Sequence, residues 1–246
     1  TTYHFRAMAH NSQGWSYGSD LTFTTNSAGA ATVVTNAATN VNSTGATLNG
    51  NLTATGGENA DIRGFDYGTT EAYGSNVTES GSFGTGTFSA VIGSLTPGVE
   101  YHFRAKVHNS NGWAYGSDTT FTTDVVLPTV STSAASSVLA TDATLNGNIT
   151  DTGGENSDIR GFQYGLTTGY GSNTTESGSY NTGSFGLTVS GLTPDTTYHF
   201  RAMSHNSAGW AYGSDLTFTT DPLLAPTVTT ADATGEASAE PAEESS

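Results

Sequence analysis

The residues of this chain that could do chemistry come in repeated sets. His102 and His108 recur as His199 and His205, and a Trp two residues ahead of a Tyr stands at Trp15/Tyr17, Trp113/Tyr115 and Trp210/Tyr212. Along a strand, a separation of six residues puts the two histidines of each pair roughly 20 Å apart, too far to share a metal ion. Outward-facing polar residues able to make inter-chain contacts are therefore expected. The Trp/Tyr pairs allow two readings. Exposed rings would stack on sugars as a repeated carbohydrate-binding strip. Alternatively the rings pack at one end of each folded unit, the usual use of large aromatic area. The parity that Trp113 and Tyr115 share with Phe121 favours packing.

The loop Gly56-Gly57-Glu58-Asn59-Ala60-Asp61, repeated as Gly153-Gly154-Glu155-Asn156-Ser157-Asp158, offers oxygens at alternating positions. Ca²⁺ held near Glu58/Asp61 and Glu155/Asp158 is one reading, since that ion takes six to eight oxygens. No EF-hand or nonapeptide pattern is complete, and a polar turn is the other reading. Arg63 and Arg160 share parity with Phe65 and Phe162, so each is expected over an aromatic face or paired with an acid such as Glu58 or Glu155. Catalysis has no motif behind it: there is no G-x-S-x-G elbow, H-E-x-x-H or P-loop. Carboxylates such as Glu58 and Asp61 recur in each copy, as spacers do and single active sites do not. Sequons at Asn42, Asn51, Asn76, Asn148 and Asn173 make glycosylation an expectation for an exported chain.

Composition sets the broad class. Apolar residues make up 34% of the 246 residues, below the about 45–50% usual for globular proteins. Charged residues are also scarce at 11%, while Gly alone accounts for 31 positions. Thr, Tyr, Phe and Val favour strands, and Gly and Asn favour the turns between them. The net charge of −16 repels phosphate backbones and anionic membranes, which excludes nucleic-acid binding and supports solubility. Cysteine is absent, so neither disulfides nor thiol chemistry is available; this fits an exported prokaryotic protein. No apolar run approaches the roughly 18 residues of a membrane span. The chain opens at Thr1 rather than Met, as expected of a processed form or a piece of something longer.

The elements that must position these residues are written in an internal repeat. Tyr3–Thr25, Tyr101–Thr123 and Tyr198–Thr220 are versions of one string, and the last two agree at 19 of 23 positions. The starting tyrosines are spaced by 98 and then 97 residues. ATLNGNLTATGGENADIRGFDYG from Ala46 returns from Ala143 as ATLNGNITDTGGENSDIRGFQYG. Two complete repeats are read at 29–125 and 126–222. Ahead of them, 1–28 holds the C-terminal strands of an incomplete unit. Behind them, 223–246 holds the first strand of a next unit and an acidic tail expected to be disordered.

Within the second repeat seven strands are expected, centred on Val130, Leu145, Gln163, Asn173, Leu187, Ala202 and Leu216. Alternation turns Ala143, Leu145, Gly147 and Ile149 inward, as it does Phe185, Leu187 and Val189. It does the same for Tyr198, Phe200 and Ala202, leaving His199, Arg201 and Met203 outward. Lys106, the only lysine, shares the outward parity, which argues against Lys–Asn isopeptide cross-links. Seven short strands with frequent turns predict a two-sheet β-sandwich.

Leu95-Thr96-Pro97-Gly98-Val99-Glu100-Tyr101 and Leu192-Thr193-Pro194-Asp195-Thr196-Thr197-Tyr198, the latter followed by alternating apolar residues and then Asn206 and Gly209, resemble the fibronectin type III signature. The resemblance covers nearly the whole chain up to about Thr230. It implies tandem seven-stranded fibronectin type III/Ig-like sandwiches arranged as a rod, with Tyr101 and Tyr198 as tyrosine corners. The chain departs from that family in lacking a core Trp on the second strand. The repeats are also similar to arrays in large prokaryotic surface proteins.

The linkers Thr123–Pro128 and Thr220–Pro226 combine apolar residues with Pro, which limits bending. A non-enzymatic extracellular structural protein is therefore expected, a stalk or the subunit of a cell-surface filament assembled head-to-tail with copies of itself. An adhesin or carbohydrate-binding array is the alternative, and a spacer region of a larger secreted enzyme is a third. Tyr3, Phe5 and Phe23 would lie bare on the incomplete unit, while Pro226 and Val228 resemble a first strand. These segments are candidates for strand exchange.

Overall fold

The computed structural model describes residues 1–25 and 27–229, and among them every regular element is a β-strand. The N-terminal piece holds β1 (Thr2–Phe5), β2 (Met8–Asn11), β3 (Gly14–Tyr17) and β4 (Leu21–Thr24). Next come β5 (Thr32–Thr39), β6 (Ala46–Ala54), β7 (Ala60–Gly68), β8 (Ser75–Phe83), β9 (Gly86–Ile92), β10 (Glu100–Asn109), β11 (Gly112–Tyr115) and β12 (Thr119–Thr122). The second copy follows as β13 (Thr129–Ser136), β14 (Asp142–Asp151), β15 (Ser157–Gly165), β16 (Ser172–Tyr180), β17 (Gly183–Ser190), β18 (Thr197–Asn206), β19 (Gly209–Tyr212) and β20 (Leu216–Thr219).

Each copy is a sandwich-like pair of antiparallel sheets. In the first, β5-β6-β9 faces a sheet ordered β8-β7-β10, and both β11 and β12 lie along the far edge of β10. The second repeats this with β13-β14-β17 and β16-β15-β18 plus β19 and β20. Period-two alternation explains the core, because successive side chains leave opposite faces of a strand. Ala143, Leu145, Gly147 and Ile149 are all buried. Phe65, Phe103, Phe162 and Phe200 have no exposed surface. Phe65 and Phe88 meet across the layers with ring centroids 5.1 Å apart. Glycine lets the sheets come this close: a Cβ on Gly147 would stand 2.8 Å from Ala202 Cβ.

One irregularity organises the outer face. β10 pairs Lys106 with Tyr115 and Phe103 with Thr119. Two residues of β10, Arg104 and Ala105, therefore face three of the opposing segment, Gly116, Ser117 and Asp118. This extra residue is a β-bulge, and it inverts the parity of everything before it. Ala114 packs against the core, while Trp113 and Tyr115 turn to the outer face. The amide freed at the bulge is satisfied from the facing sheet, where Thr35 Oγ1 accepts from Ala105 N at 3.0 Å. The second copy bonds Ala202 N to Thr132 Oγ1 at the same distance. The expectation that the Trp/Tyr pairs pack at the end of the sandwich is thus corrected. Counting by twos from Trp113 to Phe121 fails because the strand is not continuous.

The chain enters each sandwich through a buried asparagine. Asn109 Nδ2 donates to Gly29 O and Thr55 O, both at 3.0 Å, and its Oδ1 accepts from Asn111 N. Between the sandwiches, Thr123 N bonds Val99 O, Asp124 N bonds Asn42 O, and Val126 N bonds Gly153 O. Asn206 Nδ2 then holds Val126 O at 2.8 Å. Only Val125 lies between the last bond to the first sandwich and the first bond to the second.

In the N-terminal piece β1 pairs with β4 and β2 with β3, and all four strands are exposed. Tyr3, Phe5 and Phe23 are each about half exposed, at 51–53%. Residues 221–229, including Pro226 and Val228, form no strand, and the rest of the segment expected as a first strand lies outside the described residues. The acidic tail from Thr230 lies outside the described residues.

The hydroxyl of Tyr101 accepts a hydrogen bond from Thr96 N at 3.1 Å, and that of Tyr198 from Thr193 N at 3.0 Å. Removing the acceptor while leaving the ring strands a part-buried amide, so Tyr101→Phe is expected to cost the first sandwich about 1–2 kcal/mol. Calorimetry should show its transition moving below that of the second sandwich. Unchanged transitions would contradict this role for the hydroxyl.

Candidate functional site

The outer face of the longer sheet gathers most of the polar and aromatic residues singled out from the sequence. Successive outward positions of β10 are His102, Arg104, Lys106 and His108, and each meets a carboxylate. His102 Nδ1 lies 2.7 Å from Asp118 Oδ2, and His108 Nδ1 lies 2.7 Å from Asp61 Oδ1. Arg104 donates through Nε and Nη2 to Asp66 Oδ2 at 3.2 and 3.1 Å, while Lys106 Nζ reaches Asp66 Oδ1 at 2.6 Å. The Tyr73 hydroxyl donates to Asp118 Oδ1 at 3.0 Å.

Aromatic rings fill the spaces between these side chains. Arg104 Cζ lies 3.9 Å from the centroid of Tyr115 and 4.8 Å from that of Tyr73. Lys106 Nζ sits over Trp113 at 5.1 Å, and the His108 ring lies 5.0 Å from the same indole. Trp113 and Tyr115 are nearly parallel, 6.3 Å apart. The second sandwich repeats the ladder with Arg201 between Tyr170 and Tyr212, and His205 against Trp210. The N-terminal hairpin keeps its local part, with His4 on Asp20, Arg6 over Tyr17 and His10 against Trp15.

The copies differ in a coupled way. Asp66 and Lys106 become Gln163 and Met203, and Arg201 keeps its two bonds by donating to Gln163 Oε1 at 2.9 and 2.7 Å. An acid and a base are exchanged together for neutral residues. The buried Ala60 and Val107 become Ser157 and Ser204, whose hydroxyls bond each other at 2.6 Å. Lys106 and Met203 do face outward, as parity requires. The rings above nonetheless cover them to 9% and 3% exposure, so outward here does not mean solvated.

Other sequence candidates separate. Glu58 bonds Ser110, Asn59 bonds Ser82, and Asp61 is taken by His108. The polar side chains of the glycine loop therefore diverge to three partners instead of converging on a cation, and Glu155 and Asp158 do likewise with Ser207 and His205. Arg63 lies over Phe83 at 4.1 Å and Phe88 at 5.3 Å, but its acid partner is Glu79, not Glu58. Arg160 correspondingly pairs with Glu176, not Glu155. Among the described residues one cluster has metal-like proximity: Glu71, His102 and Asp118, with ligand atoms within 4.8 Å of one another. In the second copy Thr168 replaces Glu71. Of the sequon asparagines, Asn42, Asn76 and Asn173 are exposed, while Asn51 and Asn148 are half-buried on central strands.

Asp118, Tyr73 and Asp66 were not among the sequence candidates. A signal existed for the first, since Gly-Ser-Asp closes the Trp/Tyr string in all three copies. No family model matches the chain, and no curated protein matches it. Among solved structures it is similar to the sensor domain of the anti-sigma factor RsgI4 of Pseudobacteroides cellulosolvens. A short form matches with 21% identity and a TM-score of 0.33, covering 39% of this chain and 96% of that one. A long form matches with 20% identity and a TM-score of 0.34, covering 43% and 100%.

The ladder has a titration signature. The hydrogen bond to Asp118 raises His102 above its ordinary 6.5, and the one to His205 holds Asp158 below 3.8. Burial, aided by Asp118, pushes Tyr73 up to about 12. The His102 pair therefore contributes fully below pH 6.5 and is lost as pH rises through the elevated folded value. Asp158 contributes above pH 3.8 and is lost as pH falls through its lowered value. NMR titration should place His102 above 6.5 in the native chain and return it toward 6.5 in Asp118→Asn. A native midpoint at or below 6.5 would contradict the pairing.

Proposed function

We propose that this chain is a non-enzymatic extracellular structural protein, a stalk or the subunit of a cell-surface filament, built from fibronectin type III-like sandwiches joined stiffly in series. In this reading β11 and β12 are one bulged seventh strand, so that each unit has three strands in one sheet and four in the other. The observation that carries the proposal is the linker. Its backbone is hydrogen-bonded to the first sandwich through Asp124 and to the second from Val126 onward. A joint with one unbonded residue is a spacer's joint. With strands of eight to ten residues, each unit adds roughly 30–40 Å of length. The charge of −16 keeps such surfaces apart in solution.

The ladder weighs against the adhesin alternative. Stacking on a sugar requires an open ring face. Lys106 and His108 lie against Trp113, and Arg104 covers Tyr115. The rings are engaged in holding the sheet's outer face together. A glycan stacking on those covered faces would have to displace Arg104 and Lys106, which Asp66 holds in place.

Electron microscopy of the protein in its native source tests the assembly directly. Filaments whose axial repeat is a whole number of sandwich lengths are expected; isolated rods of varying length would leave a stalk and remove the filament. Trp113→Ala separates the structural role from the adhesive one. It should lower the stability of the first sandwich by about 1–2 kcal/mol, from lost cation–π and aromatic contacts. Unchanged stability with loss of retention on a glycan surface would favour the adhesin.

A further inference from the structure

Two glycine backbones touch where the first sandwich meets the second. A Cβ on Gly98 would lie 2.4 Å from Gly154 O, and one on Gly154 would lie 2.4 Å from Pro97 O. Neither contact leaves room for a side chain. Gly98 belongs to the Thr-Pro-Gly turn above Tyr101 and has φ +66, and its amide donates to Asp124 O at 3.3 Å.

The matching turn of the second sandwich is Thr193-Pro194-Asp195, and it has the same construction. Asp195 has φ 48, its amide donates to Asp221 O at 3.2 Å, and Thr193 N donates to the Tyr198 hydroxyl. Asp and Asn are the non-glycine residues that best tolerate this left-handed region. The turn itself therefore does not demand glycine. What demands it at position 98 is the neighbouring sandwich.

We propose that the residue at this turn sets the joint. Glycine at 98 lets the next sandwich seat backbone against backbone, and Asp195 holds off any sandwich that follows the second one. The segment from Pro226 resembles in sequence the opening of the second repeat at Pro128, so the partner considered for that far end is a unit of the same kind. The surroundings change in the same sense. Where the first joint has Asn42 and Ser43, the second end presents Leu139 and Ala140 beside Pro222 and Leu224. Leu139 is 56% exposed and Leu224 93%. The first joint is locked by main-chain contact, and a unit meeting the second end would seat on apolar side chains instead.

This inference rests on the reading of the sandwiches as units stacked in series, and the test separates the two. The chain lacks cysteine, so Ser80→Cys and Ser177→Cys, both exposed, place one spin label on each sandwich for pulsed dipolar spectroscopy. The parent chain should give one narrow distance distribution. Gly98→Asp and Gly98→Asn should broaden it at least twofold, with thermal unfolding of both sandwiches unchanged. Asp195→Gly should leave it narrow. A broad distribution in the parent chain overturns the stiff-spacer reading and this inference with it. A narrow parent and narrow Gly98 variants overturn the inference alone. Unfolding of the first sandwich by both Gly98 variants shows that the turn itself requires glycine, which also overturns it.

Discussion

The side chain of Asn206 is 1% exposed and uses both ends of its amide. Nδ2 donates to Val126 O and Thr152 O at 2.8 and 2.9 Å, and Oδ1 accepts from Ala208 N at 3.0 Å. Asn109 does the same one repeat earlier with Gly29, Thr55 and Asn111. One carboxamide thereby ties three things together: the incoming linker, the glycine loop between the second and third strands, and the hairpin that carries the Trp/Tyr pair. Leaving a buried group of this kind unpaired costs about 1–3 kcal/mol, so the three segments are fixed as a set. The position of the linker determines where the next sandwich sits. The position of the hairpin determines where the rings lie over β10. Both the joint and the ladder follow from the same buried amide.

The ladder then explains how a chain with only six basic residues uses them. No buried side-chain polar atom among the described residues lacks a partner. Arg63 and Arg160 close the open edge between the two sheets over Phe83/Phe88 and Tyr180/Phe185. Arg104 and Lys106 lie under rings on the outer face. The exchange of Asp66 and Lys106 for Gln163 and Met203 keeps the formal charge of that rung the same in both copies, the one positive charge of Arg104 or Arg201. Exchange of Asp66 alone would leave the covered Lys106 ammonium without its counter-ion, which is more costly than either matched set.

Much of this was legible in the sequence because strands obey a period of two wherever they run unbroken. Ala143 to Ile149, Tyr198 to Ala202, and the placement of Arg63 over an aromatic face all follow from that rule. It failed at the bulge of Gly116, Ser117 and Asp118, because one inserted residue reverses parity and nothing in local composition marks the insertion. It also misjudged Met203 and Lys106, since alternation assigns a face but does not say what covers it. The partners Asp66 and Tyr73 come from strands and turns far away in sequence. A comparison of the two copies residue by residue would have shown the paired change at 66 and 106 that betrays their contact.

What unites fold and proposed role is the claim that the linker is part of the second sandwich rather than a tether to it. Native-state hydrogen exchange at the Val126 amide, which donates to Gly153 O at 2.9 Å, tests this most directly. The account predicts that Val126 exchanges only on global unfolding of the second sandwich, with protection equal to that of the central amides of β18. Exchange at the rate of an exposed loop, while β18 stays protected, would contradict it.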